Sequence, residues 1–291
     1  AKKSLNEALS LLATDKNTII TNQGKHTNAS SLEHSVPQKV VALVHFGRSG
    51  TTLLHSLIDS HTSVTTLPSR YLSEFFNEST WKKIISNGWD GMVDRFIAIY
   101  DVMFDARSSV PVETAGNNLV YRLGIQEGMA NVGENKNEVL QVDKGLFRAE
   151  LTRLIACYHE LDAFLFFTLV HNAYNRAIAD INPKSMIFYH IHNPGTYSQL
   201  NFIKSAPNAK WIMMVREPIQ SCEAWCRSSY IENEYPNIVT KIVHMLGEVV
   251  NPIFQEDNSI GIRLEDLKLI PKRTIQALCD WLEIKEEDCL Y

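Results

Sequence analysis

The stretch Val40-Val41-Ala42-Leu43-Val44 constrains this chain more than any other, because it is apolar at every position and mostly β-branched. A strand with one wet face alternates apolar and polar residues. An unbroken run of this kind reads instead as a strand covered on both faces, the habit of parallel sheets. It is followed at once by His45-Phe46-Gly47-Arg48-Ser49-Gly50-Thr51-Thr52, and then by Thr52 to Ser60, where Leu53, Leu54, Leu57 and Ile58 mark one helix face. The unit is strand, loop, helix, and it points to an α/β fold.

Further strands are predicted at Met186 to Ile191, Trp211 to Val215 and Ser259 to Leu264, with a helix between the first two and another from Ile219 onwards. Ile275, Leu278, Cys279 and Leu282 recur at helical spacing behind Pro271, giving an amphipathic helix suited to packing on the sheet. From Tyr71 to Ile181 the pattern is mostly helical, notably over Trp81 to Met103 and Ala149 to Ile178, with an interruption rich in Gly and Asn from Gly124 to Asn137. The expectation is a three-layer sandwich around a central parallel sheet, with this helical middle section covering the sheet and walling a substrate pocket. Leu5, Ala8, Leu9 and Leu12 are spaced as a helix, and Thr21 to Gln38 is polar and turn-rich. Residues 1–38 therefore read as an N-terminal helix and linker, and 39–291 as the main domain.

A formal charge of −5 and a pI near 6.1 leave no basic excess for nucleic acid or another polyanion, so an anion site must be small and built from specific residues. The cysteines, Cys157, Cys222, Cys226, Cys279 and Cys289, form no metal-binding pattern and cannot all pair, which fits thiols in a reducing compartment. The apolar run Ala8 to Ala13 is too short for a membrane span. No membrane segment and a cytoplasmic location are expected.

A strand that ends in Gly47-Arg48-Ser49-Gly50-Thr51-Thr52 and turns into a helix aims backbone N–H groups and the positive end of the helix dipole at one spot. That spot suits a phosphate. Gly47 and Gly50 permit close approach of the backbone, Ser49, Thr51 and Thr52 add hydroxyl donors, and Arg48 supplies a charged fork. The loop lacks the G-x-x-x-x-G-K-[ST] register of nucleotide kinases and ATPases, including its lysine. A sulfuryl donor fits better, since the transferred SO3 carries less charge than a phosphoryl group and one arginine can balance the leaving phosphate without a metal. The bland alternative is a tight turn whose Ser and Thr merely cap the helix. A second buried strand, Lys210 to Val215, ends at Arg216-Glu217-Pro218, with Pro218 placed to open a helix. Arg216 therefore lies at the carboxyl end of a strand, where open α/β sheets bind ligands.

Together these segments resemble the sulfotransferases that use 3′-phosphoadenosine 5′-phosphosulfate (PAPS), in particular the group with R-S-G-T-T in the donor loop and an R-x-P-x-x-x-x-x-S stretch. His192-Asn193-Pro194, the segment Phe202 to Lys210, and Ile262-Arg263-Leu264-Glu265-Asp266-Leu267 add to the likeness. The resemblance implies a P-loop-like sulfotransferase fold. It also implies that Arg48, Ser49, Gly50, Thr51 and Thr52 bind the 5′-phosphosulfate while Arg216 clamps the 3′-phosphate. One position departs from the family: the serine expected eight residues after the arginine is Ala224, and Ser221 or Ser228, one turn to either side, are the replacements.

The acceptor must lose a proton as it attacks sulfur, so a His or carboxylate should stand within reach. His192 follows a buried strand and is the favoured base. His190 should point to the opposite face of that strand, making a shared role unexpected. Glu113, in Pro111-Val112-Glu113-Thr114, is the second candidate and Glu74 the third, the latter weighed against a solvated surface glutamate. His55, on the donor-loop helix, is expected to pack or cap. The function implied is transfer of a sulfuryl group from PAPS to a hydroxyl or amine of a small molecule, such as a natural product, leaving 3′-phosphoadenosine 5′-phosphate (PAP). A phosphotransferase with a degenerate loop and a nucleotide-binding module without catalysis remain as alternatives.

Overall fold

The structure, a computed structural model, describes residues 20–21, 37, 39–45, 48–68, 71–113, 119–120, 123–126, 128–192, 195–231, 238–249, 257–287 and 290. Five parallel strands form the central sheet: β1 (Lys39–His45), β2 (Val64–Thr65), β3 (Met186–His190), β4 (Lys210–Val215) and β5 (Ser259–Arg263), in the order β5-β4-β1-β3-β2. The helices are α1 (Thr51–Asp59), α2 (Glu78–Ile85), α3 (Met92–Ile99), α4 (Lys144–Ile155), α5 (Ala163–Ala177), α6 (Thr196–Ser205), α7 (Pro218–Ile231), α8 (Ile238–Val249), α9 (Leu264–Leu269) and α10 (Pro271–Leu282). Short 3-10 turns occupy Tyr71–Glu74 and Asp101–Met103, and a brief helical turn occupies Leu123–Gln126. No described helix is long and apolar enough to cross a membrane.

The apolar run that opened the sequence reading explains the layering. Val40, Ala42 and Val44 enter one core, together with Ile187 and Tyr189 of β3, Trp211 and Met213 of β4, and the aromatic side chains of the middle section such as Phe75, Phe76 and Phe167. Val41 and Leu43 enter a second core with Phe188, Ile212, Met214 and Ile262, closed by Leu54 and Ile58 of α1, Leu264 of α9, and Ile275, Leu278, Cys279 and Leu282 of α10. Alternate side chains of one strand thus serve opposite layers, and none can be polar. Each buried Leu or Ile in these layers is worth about 2–5 kcal/mol against truncation to Ala.

The middle section is more broken than its apolar periodicity predicts. Trp81 to Met103 is interrupted by the extended stretch Ser86–Trp89 and by Gly91 at φ 65°, where Arg95 donates to the carbonyls of Ile84, Gly88 and Asp90 at 2.7, 2.8 and 2.7 Å. Ala149 to Ile178 is two helices, each begun by an aspartate: Asp143 accepts from Leu146 N at 2.9 Å and Asp162 from Leu165 N at 2.8 Å. The helix predicted from Leu5 to Leu12 lies outside the described residues. Where the segment read as a linker begins, Ile20–Thr21 forms a short antiparallel ladder with Glu160–Leu161. The edge strand β2 is two residues long and carried no readable pattern.

Candidate functional site

After β1 the chain passes through α1 to the far edge strand β2, leaving room for β3 beside β1, while β4 and β5 build on the opposite side. β1 is thus the strand at which the sheet's connections change direction, the place where open α/β sheets bind ligands at the carboxyl ends of their strands. The registers align them: Leu43 lies opposite His190, His45 lies opposite Met214, and Ile191 N donates to Leu43 O at 2.9 Å. His192, the loop after His45, and Arg216 consequently emerge from three adjacent strands at one edge.

Of the donor loop, Phe46 and Gly47 lie outside the described residues. Arg48 is exposed, whereas Ser49 is 1% exposed and its Oγ has no hydrogen-bond partner among the described residues. Gly50 takes φ 85° and ψ 27°, and a Cβ there would stand 2.5 Å from Leu264 Cδ1, so both conformation and space call for glycine. Its carbonyl accepts from Leu53 N and Leu54 N at 3.0 and 3.2 Å, which starts α1. Gly50, as the N-cap, makes no side-chain cap bond. The Ser49 hydroxyl is therefore not spent on capping α1. Thr51 is buried and Thr52 exposed.

At the second anion position, Arg216 donates from Nη2 to Gln220 Oε1 at 3.3 Å. Glu265, at the start of α9, accepts from Glu217 N at 3.1 Å, and that bond, with Arg263 and Arg216 nearby, holds its carboxyl below the usual range. Ser221 is fully buried, with its Oγ lacking a partner among the described residues, while Ala224 is half-buried and has no polar side-chain atom. The side chain of Ser228 lies outside the described residues. A buried hydroxyl without a partner costs about 1–3 kcal/mol. Ser49 and Ser221 both carry that cost, and both belong to segments read as anion-binding.

The base candidates fall in different settings. His192 is half-buried just beyond β3; its backbone N–H donates to Ser73 Oγ at 2.8 Å, and its ring stacks on His45 with centroids 4.8 Å apart and planes at 26°. His190, expected on the opposite face, instead lies with its ring 6.2 Å from that of His192, because residues two apart along an extended chain share a face. His190 also approaches His55 at 5.4 Å. Burial lowers the pKa of His55, against an opposing influence from Asp59, and His55 packs as anticipated, edge-on to Phe188. Deeper still, burial and the proximity of His55 push His171 down to about 3. His171 Nδ1 meets Thr65 Oγ1 at 3.3 Å, and the ring lines a cavity of about 10 Å³ with His190, Tyr71 and Leu67.

Glu113 pairs with Lys83 of α2 and accepts from Thr80 Oγ1 at 3.4 Å. It sits in the short ladder of Val112–Glu113 with Leu119–Val120. Glu74 is not the solvated surface carboxylate weighed from the sequence. It is 4% exposed on the 3-10 turn, accepts from Gly195 N at the start of α6, and is bonded by Asn77 Nδ2 at 3.3 Å. Burial raises its pKa, and Glu113 adds to the rise. Ser73 and Glu74 together fasten the segment after β3, with Ser198 Oγ donating to Ser73 O at 3.1 Å. Leu72, Phe75 and Phe76 on either side of Glu74 were the available signal that this carboxylate is buried.

The sequence matches the model of the sulfotransferase family over residues 102–288, a span that begins after the donor loop. No curated protein matches the chain. Among solved structures it is similar to a sulfotransferase domain from the curacin biosynthetic pathway, with 16% identity, a TM-score of 0.38, and coverage of 87% of this chain and 77% of that one. A sulfotransferase domain from the Synechococcus PCC 7002 olefin synthase gives 14%, 0.40, 91% and 80% for the same measures. Sulfotransferase STF9 from Mycobacterium avium gives 9%, 0.36, 88% and 66%.

Proposed function

Because the chain belongs to the sulfotransferase family, we propose that it transfers a sulfuryl group from PAPS to a hydroxyl or amine of a small acceptor. The observation that carries the donor assignment is the pair of partnerless buried hydroxyls, Ser49 and Ser221, each on the same segment as an arginine. In this reading Arg48, Ser49, Gly50, Thr51 and Thr52 hold the 5′-phosphosulfate, and Arg216 with Ser221 holds the 3′-phosphate. Ser221 takes the part that Ala224 cannot play.

The acceptor oxygen or nitrogen forms a bond to sulfur as the bond from sulfur to the bridging phosphate oxygen breaks, and PAP departs with that oxygen. Negative charge grows on the bridging oxygen, where Arg48 and the N–H groups at the head of α1 stabilise it more than they stabilise the ground state. The acceptor's proton goes to His192, whose position Ser73 fixes through the backbone. Glu113 is the second candidate for that proton, but its carboxylate is engaged by Lys83 and Thr80. The net charge of −5 and the exposed Glu134 and Glu138 favour a neutral or cationic acceptor, of the kind found among natural products.

Incubating the protein with PAPS and a panel of small hydroxyl and amine acceptors, with mass detection of products, tests the reading. Gain of one SO3 by an acceptor, with release of PAP, is the expected result. Absence of PAP binding by calorimetry, or magnesium-dependent turnover of ATP in its place, rejects it.

A further inference from the structure

Pro183 and Lys184 lead into β3, and the parallel sheet carries the chain from there to His190, so these residues stand at the edge opposite the donor loop. A cavity of about 200 Å³ lies at this amino edge, lined by α4, the last turns of α5 and the segment 180–184. Pockets for drug-sized ligands run to roughly 300–1,000 Å³, so this one suits a molecule of only several heavy atoms.

The cavity forms where α5 ends in a reversal. Ala179 takes φ 60°, and Ile178 N, Ala179 N and Asp180 N turn back to donate to Tyr174 O, Arg176 O and Asn175 O at 3.0, 3.1 and 2.8 Å. The carbonyls that end the helix are thereby engaged, which blunts the repulsion an anion meets at a bare helix end. The lining carboxylates are engaged as well. Asp180 accepts from Lys184 Nζ at 2.6 Å and from Asn182 N and Nδ2 at 3.0 and 2.8 Å, and Glu150 accepts from Arg153 Nε and Nη2 at 2.9 and 2.7 Å.

The cationic and amide groups are differently placed. Arg176 and Asn172 line the cavity and make no side-chain hydrogen bond or ion pair among the described residues. Asn175 is 7% exposed; its Oδ1 accepts from Thr65 Oγ1 at 3.0 Å, and Thr65 Oγ1 also meets His171 Nδ1 at 3.3 Å. The oxygen of that amide is thus held by the protein, and its Nδ2 is left for the cavity. Leu154, Ile181 and Pro183 supply an apolar wall.

We propose that this cavity is a second binding site, for a small carboxylic acid that carries a hydroxyl on a short hydrocarbon body. Arg176 pairs with the carboxylate through two parallel N–H···O bonds, and Asn172 and Asn175 bond the hydroxyl. One unpaired cation balances a monoanion, and the apolar wall favours a ligand with carbon over an inorganic ion. The site is separate from the donor crevice and takes nothing from the donor reading.

Titration of 3-hydroxybutyrate into the full isotope-labelled chain, followed by NMR through the side-chain amide resonances of Asn172 and Asn175, tests the proposal. Both resonances should move and saturate, and butyrate, which lacks the hydroxyl, should bind about 2- to 10-fold more weakly. Arg176→Ala, at an exposed position, should weaken binding about 10-fold or more. Arg176→Lys, which keeps the charge and loses the fork, should fall between the two. Arg216→Ala and saturating PAP act at the opposite edge and should leave the titration unchanged. No saturable movement at tens of millimolar, or equal movement with inorganic sulfate, overturns the proposal, as does an Arg176→Ala chain that binds like the parent. A parent that fails to bind PAP overturns only the donor reading, because the 3-hydroxybutyrate titration is read without PAP.

Discussion

His171 offers a measurement that separates structural histidines from chemical ones. Its ring is buried, packed edge-on to Phe167 at 4.8 Å, and held neutral down to about pH 3 by burial and by His55. In the unfolded chain the same imidazole titrates near 6.5. The folded pKa is depressed, so below about pH 6.5 the unfolded state binds the extra proton, and the neutral ring costs the native state progressively more as pH falls. Between pH 8 and pH 5 the loss is RT ln(1 + 10^1.5), about 2 kcal/mol, and it is set almost wholly by the unfolded ring because pH 5 lies well above the folded value. Urea unfolding of the parent and of His171→Asn at pH 8 and pH 5 gives the comparison. The substitution will lower stability at both values, but the difference between the two pH values should shrink by about 2 kcal/mol. Burial lowers His55 in the same direction and leaves a residual slope. An Asn variant with the parent's full pH dependence would refute the placement of His171 as a buried neutral ring.

Other substitutions address the donor site. Arg48→Ala should abolish transfer, and Arg216→Ala should weaken PAP binding about 10- to 150-fold, from a lost charged hydrogen bond of about 1.5–3 kcal/mol; calorimetry showing an unchanged Kd would reject the second assignment. Gly50→Ala forces a side chain into φ 85° against Leu264, for about 1–2 kcal/mol of backbone strain and about 1–3 of overpacking. Thermal unfolding at the parent's Tm would contradict that geometry. Ser49→Ala and Ser221→Ala each remove a partnerless buried hydroxyl and should raise the stability of the ligand-free protein by about 1 kcal/mol while weakening PAP binding. Loss of stability in both would mean that these hydroxyls bond within the protein.

Some of this was readable in the chain and some was not, for identifiable reasons. β1, β3 and β4 announced themselves because both of their faces are buried and nearly every position is apolar, whereas β5, at the sheet's edge, buries only Ile262. α10 did so because Pro271 and the spacing from Ile275 to Leu282 are local signals. The two residues of β2 are too few for periodicity, and their place depends on pairing with Met186 and Ile187, far along the chain. The break between α4 and α5 contains neither Gly nor Pro, and the aspartate that caps α5 was its only mark. Glu74 reads as a surface residue until Gly195 closes over it. The stack of His45 on His192 follows from the pairing of β1 with β3, which is invisible before the strand order is known.

The same contrast explains why the donor side of the site is easier to identify than the acceptor side. The donor cradle proposed above is assembled from contiguous pieces, a strand, its loop and the next helix, so its residue types stand together in the sequence. The surroundings of His192 come from the 3-10 turn at Tyr71–Glu74, the start of α6 and the end of β1, joined by bonds such as Gly195 N to Glu74 and His192 N to Ser73. Each contributes one or two residues, none of them distinctive alone. A donor shared across a family holds its cradle to a narrow set of residue types, whereas an acceptor is selected by the shape these scattered walls make. On the proposed reading, the chain states its donor in a short motif and keeps its acceptor specificity in contacts between segments far apart in sequence.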